Sequence, residues 1–312
     1  MRDTTDRKTP YPVAALVPTF LFLIYVVPVV AACAPLFVTS SLGVKLTLLT
    51  AAPITFLLTF AAVCAILSAP FQRAIVPGAF PRQVSHYVYG PRRLYGLCWG
   101  AVFYFTPAYY VVVSIPFLRK ALFRAFGYRG HDDVSIAPDA WIRDLPLLSL
   151  GEGTYIANKA TMGTNMCLSD GTIIVERIRT GKGTMVGHLV MVAPGCVLGD
   201  HVEVGPGSGV GVRARLGNGT RIGSYCLINH GARLGESVHV GAMSYVGRRA
   251  VIGDGVKLPS GSNIPDGAKI LTQEDAAQYL SSETNMGSLK EGVATLVAAR
   301  SDVSADLRMM SA

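Results

Sequence analysis

From Arg7 to His131 the sequence contains neither aspartate nor glutamate. Residues 1–130 carry 12 basic side chains against two acidic ones, Asp3 and Asp6, a net of +10; residues 131–312 carry 16 against 18, a net of −2. The basic balance of the chain therefore comes from its first part, which is also its apolar part. That pairing points to a membrane surface. Basic residues are not interleaved with aromatics there, which excludes a base-stacking nucleic-acid binder. Cysteine offers equally little. Cys33, Cys64, Cys98, Cys167, Cys196 and Cys226 form no CxxC and no zinc-ligand spacing, and three of them lie in apolar stretches. They read as small buried hydrophobes of a reducing compartment. No two of the 6 histidines are four or 18 residues apart, so no metal site is expected.

Long uncharged runs are present instead. Tyr11–Val38 and Leu46–Pro70 each exceed the ~20 residues that cross a bilayer and are separated by a short turn. They predict a spanning hairpin and not a cleaved signal peptide. A third run, Leu97–Leu118, is interrupted by Pro107 and Pro116. Basic clusters flank all three runs at 1–10, 71–95 and 119–130, whereas the first hairpin turn holds only Lys45. All three clusters favour the cytoplasmic side. The third run is therefore expected to re-enter or lie in plane, and "FLRKALFRAFGYRG" to lie as a basic amphipathic helix on the inner leaflet.

The second part has a period of six. From Thr180 it reads as 15 consecutive hexads, with an aliphatic residue first in all but one, glycine second in 11, and Thr, Val, Cys, Ser or Ala always fifth. A branched aliphatic every six residues fills a narrow axial core, the small fifth residue fits beside it, and glycine relieves crowding at each corner. Three hexads make one triangular coil, and coils stack roughly 4.8 Å apart. The register extends back through LGEGTY and IANKAT. Residues 162–179 keep the spacing but place Met166 and Ile178 at the small position. They are either distorted coils or a loop that preserves phase.

The predicted architecture is a membrane-embedded helical region (1–130), a parallel β-helix (131–271) and a C-terminal tail (272–312) with a short helix at Gln273–Leu280 and a disordered end. The hexads resemble the left-handed β-helix of the hexapeptide-repeat acyltransferases. The membrane part with "LRKALFRAFGYRG" resembles the membrane-bound terminal modules of some nonribosomal peptide synthetase-like enzymes. The first resemblance implies an acyl-CoA or acyl-carrier thioester as co-substrate, a hydroxyl or amine acceptor, a homotrimer and no metal. It also implies a histidine general base in a hexad of the type Ile/Val-x-His-x-Cys/Ala, which INHGAR matches with His230. The β-helical carbonic anhydrases need three histidines, and no column of this chain presents them.

Residues 18 apart stack in such a fold. His230 then lies between Val212 and Arg248, and Arg248 and Arg249 could meet a phosphate or a pantetheine-linked anion. His188 lies below Pro206 and above Asp170, with Glu152 a coil further back, an acid–imidazole stack suited to a general base. His188 and His230 are seven hexads apart, on different sides of the prism. Asn229 and Asn165 are further candidates for donor or acceptor contact. The chain has no adenylation or carrier motif, so an activated acyl group must arrive from elsewhere. The expectation is an inner-membrane, multi-pass acyltransferase with a cytoplasmic β-helix, acting near membrane lipid, a lipid-linked acceptor or a carrier protein. The alternatives are a non-catalytic trimeric scaffold and a carrier-dependent condensation-type module.

Overall fold

The computed structural model describes residues 8–280. Two antiparallel helices open it, α1 (Val13–Val38) and α2 (Leu42–Ser68), the second continued by a 3₁₀ turn at Ala69–Ala74. Both are long and apolar enough to cross a membrane. Their outward side chains, Phe22, Leu46 and Ile66 among them, are exposed, as suits a lipid-facing surface. The third apolar run is broken. Helix α3 (Tyr89–Tyr104) and helix α4 (Thr106–Ser114) meet at 82° beside Pro107, the bend expected where a proline removes a helix donor. Helix α5 (Pro116–Ala125) follows. Its basic face is partly spent within the protein: Arg124 and Lys120 pair with Asp132 at 2.7 and 2.8 Å, and Arg124 also donates to the Tyr128 and Gly130 carbonyls. Two of the charges expected on the inner leaflet thus fasten α5 to the start of the β-helix.

From Val134 the chain coils into a left-handed parallel β-helix with three sheets of seven strands each. The first face runs from Val134–Ile136 to Lys257–Leu258, the second from Trp141–Ile142 to Asn263–Ile264, the third from Leu148–Ser149 to Lys269–Ile270. First-position aliphatics such as Val186, Ile222 and Ile252 are buried, as are fifth-position residues such as Cys196, Ala214 and Cys226. Burial pushes the Cys196 thiol up to about 12, which leaves it inert. Helix α6 (Gln273–Leu280) closes the last coil, with Gln273 bonded to both the N–H and the carbonyl of Lys257. The remainder of the tail lies outside the described residues.

Residues 164–175 leave the coil. Coil neighbours are 18 apart above this point, but Met162 pairs with Val192 and Ile156 with Val186, 30 residues on. The excess is two hexads. It forms a hairpin, Asn165–Cys167 with Thr172–Val175, to which Gly78–Pro81 adds a third antiparallel strand. The loop that preserves phase is therefore the correct alternative. The hairpin also stitches the helical region to the β-helix, together with the Trp99 indole donating to the Ile142 carbonyl (2.8 Å), the Phe103–Trp141 ring contact and the buried pair Arg92–Asp144.

Candidate active site

The hairpin overturns one expected juxtaposition. The residue stacked beneath His188 is Asn158, whose carbonyl accepts the Leu189 N–H. Asp170 sits in the hairpin turn, where its Oδ1 accepts the Thr172 N–H at 2.8 Å. Glu152 pairs with Lys182 at 2.9 Å, a contact that holds its carboxyl below the usual range. No acid–imidazole stack forms. His188 is exposed, and its ring makes no hydrogen bond among the described residues. The coil below it reaches an aromatic cavity of 470 Å³ through Asn158, which also donates to Asp139.

His230 is held. Its Nδ1 accepts the backbone N–H of Val212, 18 residues earlier, at 2.9 Å. This bond belongs to a series. Asp200 accepts from Lys182 N–H, Asn218 from Asp200, Asp254 from Glu236 and Asp266 from Arg248, each 18 apart and each within 2.8 Å. A third-position side chain thus caps a corner N–H of the coil beneath that the ladder leaves unpaired. His230 does this with a ring nitrogen where other corners use a carboxylate or an amide. An imidazole that accepts at Nδ1 carries its proton on Nε2. The exposed nitrogen is therefore a donor, and a base acting through Nε2 would need the opposite tautomer. The capping also depends on Gly211, where a Cβ would lie 2.7 Å from the His230 nitrogen and 2.8 Å from its Nδ1. Replacing Gly211 by alanine is expected to displace the ring and cost about 1–3 kcal/mol. Thermal unfolding of the variant checks this, and an unchanged melting temperature would contradict it.

The column continues from His230 through Arg248 to Asp266. Asn229 beside it is engaged: its Nδ2 donates to the Tyr245 hydroxyl at 2.9 Å, and its Oδ1 accepts the His230 N–H. Arg249 lines a cavity of 730 Å³, which runs along the third face and reaches Gly231, the residue after His230. Arg177, Arg179, Arg213, Arg215 and Arg233 line it too. Its one carboxylate, Glu176, pairs with Arg213 at 2.5 Å. Sequence reasoning chose two arginines at this corner and missed the rest, because it followed the column and not the face beside it. The signal was there: Arg179, Arg215 and Arg233 share one hexad register. Asn165 lies elsewhere, in the hairpin, with its Nδ2 3.4 Å from Asp144. Among the described residues no group of three or more His, Cys, Asp or Glu side chains could hold a metal.

Coils, hexads and capped corners together define a hexapeptide-repeat β-helix protein. The family described as bacterial transferase hexapeptide, six repeats, matches residues 177–211. No curated protein sequence matches the chain. Among solved structures, PerB from Caulobacter crescentus in complex with CoA and GDP-perosamine is 20% identical over 48% of this chain and 61% of its own, with a TM-score of 0.27. The acetyltransferase domain of PglB from Neisseria gonorrhoeae with acetyl coenzyme A is 23% identical over 51% and 64%, with a TM-score of 0.25. The UDP-N-acetylglucosamine acyltransferase of Bacteroides fragilis is 20% identical over 43% and 56%, with a TM-score of 0.24. The chain spans less than two thirds of the length of each of these three.

Proposed function

We propose that the protein is a membrane-anchored acyltransferase that moves an acyl group from a thioester to an amine at the His230 corner. The observation that carries this reading is the ring itself, tied at Nδ1 and offering Nε2–H beside an arginine-lined cavity. The arginines suit the phosphates of the donor, free in coenzyme A or on a carrier's phosphopantetheine arm. The amine nitrogen attacks the thioester carbonyl carbon, and the electron pair moves to oxygen. His230 Nε2–H donates to that oxygen as its charge develops, the role of a neutral imidazole electrophile. The C–S bond then breaks, and the departing thiolate takes the proton that the acylated nitrogen releases. No side chain needs to remove a proton before attack, which favours an amine over a hydroxyl acceptor.

The second face supports a trimer. Its seven outward positions carry no charged side chain, and Met191 and Leu227 are exposed there. The neighbouring corner adds exposed Leu189, Tyr225 and Met243. An uncharged face of this kind on a soluble solenoid is expected to be covered, and a second copy of the chain is the occupant we assign. The His230 and His188 corners then both rim the interface, and a neighbour can complete the site. The two helices α1 and α2 and the arginine-rich segments would hold the assembly at the inner face of the membrane.

The test is Leu227→Lys. An unpaired ammonium buried in that face should weaken association well beyond tenfold, about 1.4 kcal/mol per decade. Sedimentation in detergent should show three chains for the wild type and one for the variant, with thiol release from acetyl-CoA lost in parallel. A variant that stays trimeric, or a monomer with full activity, would contradict the shared-site reading.

A further inference from the structure

A second basic cavity lies where the helices meet the first coil. It measures 370 Å³ and is lined by Arg82, Arg92, Arg93 and Arg143 with Tyr89 and Asn165. Four separate segments bring these residues together: the strand at Gly78–Pro81 with Arg82 after it, the first turns of α3, the corner of the first coil and the hairpin. Arg92 is 2% exposed and bonds Asp144 through Nη2, while its buried Nη1 has no acceptor. Arg82 donates to the Tyr89 hydroxyl at 3.3 Å, and Arg93 lines the cavity beside it. Among the described residues Arg82, Arg93 and Arg143 form no ion pair. The nearest carboxylates are only partly engaged, and the buried Asp144 Oδ1, like Arg92 Nη1, has no partner among the described residues. Asp144 Oδ2 is shared by Arg92, Thr164 and Asn165, and Asp170, which lines an adjoining cavity, accepts the Thr172 N–H.

A buried guanidinium nitrogen without an acceptor is rare in a folded protein and calls for a ligand or a cost. Guanidinium forks match phosphate oxygens in geometry and charge. We infer that this cavity binds a phosphomonoester, presented as the terminal phosphate of a membrane lipid headgroup. Its volume is near the small end of the ~300–1,000 Å³ range of ligand pockets, enough for a headgroup and tight for a nucleotide. Arg82 precedes α3, and Arg92 and Arg93 lie in its first turns; all three belong to the basic stretch 71–95, which the charge asymmetry of the sequence favours on the inner surface, where anionic lipids lie. The site needs no thioester chemistry, so it stands or falls separately from the transferase reading.

The experiment uses the full chain in dodecyl maltoside micelles, titrated with dioctanoyl phosphatidic acid, dioctanoyl phosphatidylcholine or inorganic phosphate. Thermal shift and tryptophan fluorescence serve as readouts, since Trp99 and Trp141 lie in the same packed core region. Phosphatidic acid should bind and raise the melting temperature, and phosphatidylcholine should do neither. The double variant Arg82→Gln/Arg93→Gln should weaken phosphatidic acid binding at least tenfold with an unchanged ligand-free melt. Arg73→Gln, an exposed arginine of the same segment outside the cavity, should leave binding intact. Equal loss in Arg73→Gln, or equal binding of the two lipids, would overturn the site in favour of diffuse surface charge. Inorganic phosphate binding as tightly as phosphatidic acid would overturn the lipid as its source.

Discussion

His230→Ala is expected to lower the rate of acyl transfer by about 10²–10³, the usual loss when one oxyanion donor is removed, whereas His230→Gln stays within about tenfold of the wild type. Glutamine reproduces both contacts of the ring: its Oε1 can accept the Val212 N–H, and its Nε2–H2 can donate outward. It cannot act as a base. A base at this position would lose ~10²–10⁴ with either substitution, so the pair of variants separates the two roles by more than any uncertainty in the assay. Thiol release from acetyl-CoA, with an amine acceptor present, supplies the measurement. His188→Ala should retain full activity, because its ring touches neither an acid nor the arginine-lined cavity. Loss in His188→Ala with retention in His230→Ala would move the site to the other corner.

Asp144→Ala is expected to be the most destabilising single change, by roughly 3–5 kcal/mol, since it leaves the buried Arg92 charge unpaired. Asp144 is 1% exposed and accepts from Arg92, Thr164 and Asn165 at the join of α3, the first coil and the hairpin. The melting temperature in detergent should fall by about 10 °C, given some 2–4 °C per kcal/mol for a chain of this order of size. Replacing both partners with apolar residues, Arg92→Met with Asp144→Leu, should recover much of the loss. A single variant that melts like the wild type would show that the pair does not join the two parts of the protein.

Much of this was legible in the sequence because a six-residue period converts position into geometry. Val186, Cys196 and Ile222 could be placed inside, and Arg248 above His230, from spacing alone. The period also hid its own exception. Residues 164–175 add two whole hexads, so the phase survived the excursion and put Asp170 beneath His188 on paper. Of the two residues too large for the small position, Met166 and Ile178, only Met166 lies within the excursion; Ile178 is in the third-face strand. The Arg92–Asp144 pair joins residues 52 apart with no repeat between them, so no pattern could announce it. The capped corners occupy a middle case. Asp200, Asn218, Asp254 and Asp266 share the third hexad place with His230, and that regularity would have revealed the ring as one more cap.

The central claim is that this β-helix transfers an acyl group. Its most direct test is label transfer by the full-length protein in vesicles, supplied with acetyl-CoA labelled in the acetyl group, or the matching carrier thioester, and a panel of amines. The expected result is one thiol released for each label gained by an amine, in the wild type and in His230→Gln, with both signals lost in His230→Ala. A wild-type protein that leaves both thioesters intact with every acceptor would contradict the account and identify the β-helix as a scaffold.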